Sequence, residues 1–276
     1  MANVDERGHL GEGYEIGPTE TLNGIACRYI DEAWVVGAHG TVLYTSDAGD
    51  SWESQDLGTT ADLHALATQD AGRVFIAGDG VFLTAEPDFQ TGAATWQNLG
   101  DGVTKFRSLA AAQQGETVLA VSEDGGIWSY TGGLVKTTTL TGMRAVAVSP
   151  SGLQAIVVGD GVYRSVDAGA TWTQVPTDGS FDAVRIEDTG DAVLVGKAGL
   201  VARIDSENRV LTQHIGTADL LSLHIAPRQT AYSGTGYAAG VGGQVWMTKD
   251  GGWTWTMGPL VGGTVLSVDE IGDGHN

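Results

Sequence analysis

The amino-acid sequence predicts an all-β fold assembled from one four-stranded unit repeated along the chain. Two observations carry this expectation. Short β-branched segments recur in a fixed order about every 40 residues, and 42 glycines punctuate a chain in which helix formers are sparse. The clearest copy is Met143 to Pro176, MRAVAVSPSGLQAIVVGDGVYRSVDAGATWTQVP. It divides into strands at Ala145 to Ser149, Ala155 to Val158, Val162 to Ser165 and Thr171 to Val175, each bounded by Gly, Asp, Ser or Pro. Asp160-Gly161 predicts a tight hairpin between the second and third strands, with Gly161 supplying a positive φ. Ser165-Val166-Asp167-Ala168-Gly169-Ala170-Thr171-Trp172 joins the third strand to the fourth. There the Asp167 carboxylate can accept backbone N–H bonds, Gly169 can turn left-handed and Trp172 can pack between sheets.

The pattern S-x-D-x-G-x-[ST]-W returns as Thr248 to Trp255, with Asp250, Gly252 and Trp255. It returns again, one residue shorter, as Ser46 to Trp52, with Asp47 and Gly49. These turns resemble the Asp-box, or BNR, repeat. The longer unit is a V-A-V strand, then V-V-G-D-G, then the box and its Trp. It resembles the β-propeller of the photosystem II stability/assembly factor family over nearly the whole chain. The resemblance implies a propeller of four-stranded blades in which the box is a structural turn away from the ligand face. Ser46, Asp47, Gly49, Trp52, Ser165, Asp167, Gly169, Trp172, Asp250, Gly252 and Trp255 then have architectural roles. Asp boxes also occur in sialidases, sortilin-type receptors, lectins and scaffolds, so the architecture does not select a function.

Six repeats follow one another at about 22–57, 62–99, 103–140, 142–176, 180–216 and 218–262. The first has Ala33 to Gly37 as second strand, Thr41 to Thr45 as third and Trp52 opening the fourth. The second keeps Asp79-Gly80 and Trp96 but replaces the box with Thr84-Ala85-Glu86-Pro87-Asp88. The third has Asp124-Gly125-Gly126 and then Thr131-Gly132-Gly133, and the fifth has Asp205-Ser206-Glu207-Asn208 where the box would stand. The sixth recovers the box and inserts Arg228 to Gly236 between its first two strands. Such insertions carry recognition surfaces, which makes Arg228, Tyr232 and Tyr237 candidate contacts. Thr264 to Asp269 reads as one more first strand and Gly13 to Pro18 as one more fourth strand. Residues 1–21 and 263–276 are therefore expected to share a closing seventh blade, with a six-bladed ring as the alternative.

The net charge of −20 comes from 34 acidic against 14 basic residues, and only Lys105, Lys136, Lys197 and Lys249 are lysines. Nucleic acid is a poor partner for such a chain, because phosphate binding needs clustered Lys and Arg. Acid excess with so little Lys fits proteins that work in molar salt, where the Debye length is about 3 Å and dense carboxylates repel one another little. The single Cys27 excludes an internal disulfide framework. No apolar run reaches a membrane span, and the first residues lack the basic start and apolar core of a cleaved signal. Cytoplasmic synthesis without a cleaved signal and no membrane insertion are the expectations.

Apparent catalytic motifs dissolve on inspection. Gly190 to Ala198 has one residue too many for a phosphate loop and Ala where a hydroxyl should hold magnesium, so it reads as a strand and its turn. Gly234 to Ala239 mimics a dinucleotide fingerprint, but no amphipathic helix follows. His9, His39, His64, His214, His224 and His275 lack paired metal-ligand spacing. The motif set of a sialidase is incomplete. Arg107 and Arg144 do stand at the head of first strands, where Asn23, His64, Asp182, Leu221 and Leu266 fill the same place in other repeats. That ring of unequal residues could line one mouth of the central channel.

These readings lead to a non-enzymatic recognition or decoration subunit with no catalytic residue, cofactor or metal. It would be present in many copies and contact other structural proteins of a larger assembly, and a host-surface protein or glycan. A virion component or cell-surface assembly of a halophile fits best. An assembly factor for a membrane complex and a sialidase-like glycoside hydrolase are the alternatives. The charge makes one expectation directly measurable: the thermal midpoint should rise as KCl goes from about 0.1 M to above about 1 M at fixed pH, because repulsion reaching about 10 Å is screened away. A flat or falling midpoint would contradict adaptation to high salt.

Overall fold

The computed structural model describes residues 20–28, 31–87, 94–226 and 234–269. They form six four-stranded antiparallel sheets, each with its strands in sequence order. Blade 1 holds β1 (Leu22–Cys27), β2 (Ala33–Gly37), β3 (Val42–Thr45) and β4 (Glu53–Ser54). Blade 2 holds β5 (Leu63–Thr68), β6 (Val74–Gly78), β7 (Phe82–Ala85) and β8 (Gln97–Asn98). Blade 3 holds β9 (Phe106–Ala111), β10 (Val118–Ser122), β11 (Gly126–Tyr130) and β12 (Leu134–Thr139). Blade 4 holds β13 (Met143–Val148), β14 (Ala155–Gly159), β15 (Val162–Ser165) and β16 (Thr173–Val175). Blade 5 holds β17 (Phe181–Ile186), β18 (Ala192–Gly196), β19 (Leu200–Ile204) and β20 (Val210–His214). Blade 6 holds β21 (Leu220–Ile225), β22 (Gly236–Gly240), β23 (Val245–Thr248) and β24 (Thr256–Met257).

The second strands are continuous apolar runs because both their faces are covered: β2, β6, β10, β14 and β18 are buried at every residue. Five apolar clusters lie between consecutive blades and form the core. First strands pack in series, β1 on β5, β5 on β9, and so on to β21. The result is a β-propeller, with six complete blades among the described residues. The expected fourth strand at Gly13 to Pro18 lies outside the described residues, and 264–269 takes no strand pairing among them.

Three of the recurrent Trp residues pack between blades. Trp96 meets Trp34 of blade 1 edge-on at 5.8 Å, Trp172 packs on the cluster shared with blade 3, and Trp255 on that shared with blade 5. The turns before Trp52, Trp172 and Trp255 are built by hydrogen bonds. The Ser165 hydroxyl donates to Asp167 at 2.7 Å and accepts the Gly169 N–H at 2.8 Å, while Asp167 accepts the N–H and hydroxyl of Thr171 at 2.8 and 2.6 Å. Asp250 repeats the set with Thr248 and Thr254. In blade 1 the hydroxyl belongs to Thr45, not Ser46: it donates to Asp47 at 2.7 Å and accepts the Gly49 N–H at 3.0 Å. That turn therefore has the full eight residues, and Ser46 takes the exposed place of Val166. Gly169 has φ +86°, which favours glycine, and a Cβ there would lie 2.9 Å from the Leu119 side chain of blade 3, which would have to shift. Gly161, by contrast, does not take a positive φ; the hairpins of blades 2 and 3 do use one, at Gly80 and Gly125.

Two measurements test this account. Trp34→Ala should cost about 3 to 5 kcal/mol by opening a cavity between blades 1 and 2, read as a fall in the unfolding midpoint; a loss below about 1 kcal/mol would contradict the packing. The second concerns acid. The Ser51 and Thr171 hydroxyls and N–H groups hold Asp47 and Asp167 at about 2. Burial opposes ionisation at Asp250, yet donors from Thr254 leave it at about 2 as well. Carboxyls lowered in this way stabilise the fold fully above their unfolded pKa, near 4, and lose that contribution as pH falls towards about 2. The melting midpoint should therefore drop through that window, and less steeply in Asp167→Asn; an unchanged slope in the variant would refute the assignment.

Candidate binding surface

In an antiparallel meander the turn between second and third strands shares one end of the blade with the crossing into the next first strand. The Asp167-type turns lie at the opposite end. At the first end, the second strands of five blades finish in a glycine for a steric reason. A Cβ on Gly37, Gly78, Gly159, Gly196 or Gly240 would sit 1.9–2.3 Å from the carbonyl oxygen just before the first strand. The seating is clamped by a backbone bond to that same carbonyl, as in Asp79 N–H to Asp62 O at 2.9 Å and Asp160 N–H to Gly142 O at 3.0 Å.

One step inside this clamp, every first strand carries an extra residue. Pairing jumps from Leu22↔Gly37 to Gly24↔Val36, leaving Asn23 unpaired, and in the same way leaves out His64, Arg144, Asp182 and Leu221. In blade 3 the jump from Ser108↔Val121 to Phe106↔Ser122 leaves out Arg107. All six strand-head residues are thus β-bulges, a device that re-aims a side chain at a sheet margin.

The bulges and the turns beside them form two ion networks. In blades 2 and 3, His64 Nε2 lies 3.0 Å from Asp79 and 2.7 Å from Arg107 Nη1. Arg107 reaches Glu123 at 3.2 Å, and Lys105 reaches Asp79 at 3.7 Å. In blades 4 to 6, Arg144 pairs with Asp160 and Asp182, both at 2.8 Å, and also bonds Ser180. Lys197 bridges Asp182 at 3.3 Å and Asp219 at 3.1 Å. Arg144 draws the Asp160 carboxyl below its ordinary range, and Asp219 raises the Lys197 ammonium. Asn23 donates to Leu63 O at 2.8 Å.

Past Asp219 the rim turns apolar. Val241, Leu260 and Leu266 are 42, 63 and 37% exposed. Backbone bonds from Val241 to Asp219, Val261 to Gly243 and Val265 to Gly240 hold them together. Tyr237 stands apart, in β22 opposite His224, and Arg228 and Tyr232 lie outside the described residues. The acids Asp79, Asp160 and Glu123 and the cation Lys197 carry no sequence signal beyond that of turn formers. Among the described residues no group of three or more His, Cys, Asp or Glu is placed to hold a metal ion, and no helix is long and apolar enough to cross a membrane.

No protein-family model matches the chain, and no curated protein matches it. Solved structures do. YCF48 bound to D1 peptide aligns with a TM-score of 0.66 at 18% identity, over 87% of this chain and 82% of that one. YCF48 from Cyanidioschyzon merolae aligns at 0.65 and 17%, over 89% and 87%. The WD40 β-propeller domain of Doa1 aligns at 0.74 and 15%, over 92% and 87%. At these identities the shared property is the propeller fold.

Proposed function

We propose that this chain is a non-enzymatic recognition propeller that holds a protein partner on its bulge-ringed face. One observation carries the reading: six equivalent bulges in a fixed backbone frame present Asn, His, Arg, Arg, Asp and Leu. Geometry constant and chemistry varied is the pattern of a surface that reads a partner. Stability does not account for the charges. Arg144 and Lys197 side chains are 34 and 50% exposed, and such pairs contribute about 0 to 1 kcal/mol each, less in strong salt. The ionic arc and the apolar sector beside it together suit a polypeptide with both polar and apolar side chains.

The setting follows from composition. A charge of −20 with four lysines supports a repeated, exposed subunit in high salt, such as the decoration or host-attachment head of a halophilic virus particle. Many copies raise avidity by about 10² to 10⁴, so weak single contacts suffice. The likeness to a propeller solved with a bound peptide also favours a second reading, a scaffold or assembly factor for a membrane complex.

Fractionating the native source separates these readings. The chain should be recovered in multiple copies with a particle or envelope fraction. The double variant Arg107→Ala with Arg144→Ala should incorporate about thirtyfold less, the loss expected from one interface hot spot of about 2 kcal/mol, while its melting midpoint stays close to that of the parent. Recovery with a membrane-complex intermediate would favour the scaffold, and a soluble monomer that turns over a sialoside or other glycoside would overturn the proposal.

A further inference from the structure

A single ring nitrogen on the bulge-ringed face serves two partners. His64 Nε2 lies 3.0 Å from Asp79 Oδ1 and 2.7 Å from Arg107 Nη1, and those two atoms stand 3.6 Å from each other. A ring nitrogen carries either a proton or a lone pair. With a lone pair, Nε2 accepts from Arg107 and meets the Asp79 carboxylate acceptor to acceptor. With a proton, it donates to Asp79 and meets the guanidinium donor to donor. The two contacts are never favourable at once, so each state of the imidazole selects one partner.

The backbone gives this triangle little room to relax. Asp79 N–H is bonded to Asp62 O at 2.9 Å, and Asp79 also bridges to Lys105 of the next blade. His64 is fixed between the pairs Leu63↔Gly78 and Ala65↔Ala77, and Arg107 between Phe106↔Ser122 and Ser108↔Val121. The Arg107 side chain, the longest of the three, is left to move, and a second partner is already in reach: its Nη2 lies 3.2 Å from Glu123. The other charges around His64 are engaged. Asp62 accepts the His39 N–H at 2.9 Å, and Lys105 lies 3.7 Å from Asp79. From the blade 1 side, the bulge residue Asn23 is neutral and bonds Leu63 O.

We propose that His64 is a proton-operated switch on this face: neutral, it holds Arg107; protonated, it turns to Asp79 and releases Arg107 towards Glu123 and solvent. An imidazole is the side chain whose ordinary charge change falls between about pH 5 and 8, and His64 is the imidazole among the six bulge residues. The consequence for binding rests on the reading of this end as a partner surface. Arg107 freed from the ring presents its planar fork to a carboxylate of the partner, and protonation adds a positive charge beside it, so the hold on the partner tightens as pH falls through that window. Arg144 supplies the contrast within the same molecule, because its partners are Asp160, Asp182 and Ser180.

Nitrogen-15 NMR of the full chain tests this, with the His64 signals assigned by their loss in His64→Gln. At about pH 8 the Nε2 shift should be that of an unprotonated acceptor, with the proton on Nδ1, and by about pH 5 Nε2 should have gained its proton. Exchange of the Arg107 guanidinium protons, referred to those of Arg144 at the same pH, should quicken about tenfold with the same midpoint, as one charge-assisted hydrogen bond is lost. In His64→Gln that ratio should stay constant with pH. An Nε2 that carries a proton throughout, or an Arg107 ratio that does not follow the His64 midpoint, would overturn the proposal. These readings need no partner, which separates the switch from the recognition reading. A working switch with unchanged retention of the chain in the native particle fraction across the same pH range would uphold the switch and refute this end as the partner surface.

Discussion

The seating of a glycine against a carbonyl oxygen is the constraint on which the rest of this propeller face depends. In five blades the second strand ends so close to the residue before the first strand that no Cβ fits between them. That approach brings the next turn down onto the head of the first strand. It also leaves one residue of the first strand without a partner, because the short clamp and the regular ladder below it differ by one residue in length. The bulge accompanies this seating, and blade 3 keeps both the bulge at Arg107 and the backbone bond, Glu123 N–H to Lys105 O at 2.7 Å, with Ser122 in place of the glycine; the ring of re-aimed side chains follows from the bulge.

From that ring the charge pattern follows. A turn residue clamped beside a bulge meets its own blade's bulge and the next blade's leading residues at once, as Asp79 meets His64 and Arg107 and as Lys197 meets Asp182 and Asp219. The opposite end of each blade is organised differently. Its Asp carboxylates are saturated by donors of their own turn, and Gly169 and Gly252 lie against the preceding blade. One end is closed on itself and the other offers ion pairs that a partner can exchange.

Much of this was legible in the sequence, for physical reasons that can be named. The six blades show because a strand buried on both faces must be apolar throughout, as Ala155 to Gly159 is. Asn23, His64, Arg107, Arg144 and Asp182 could be aligned because a fixed repeat puts them at one position. That they are bulges could not be read, since an unpaired residue leaves no mark on the pattern of apolar and polar positions. Asp79, Asp160 and Lys197 were hidden in turns, where Asp-Gly and Lys-Ala-Gly are explained by chain reversal alone. At Asp47 the sequence pattern places the hydroxyl at Ser46, whereas Thr45 supplies it, because Ser and Thr are equivalent donors and two adjacent hydroxyls leave the register of the turn open.

The central claim is that the bulge-ringed end recognises a partner while the other end holds the blades together. Three lysines report on it directly. Lys105 and Lys197 stand on the first end with side chains 52 and 50% exposed, and Lys249 is exposed on the second. Acylation of each lysine by an amine-reactive reagent, quantified by mass spectrometry in the isolated chain and in the native assembly, is the most direct measurement. Selective protection of Lys105 and Lys197 in the assembly, with Lys249 labelled equally in both, is the predicted result; protection of Lys249 with Lys105 and Lys197 unchanged would contradict the account.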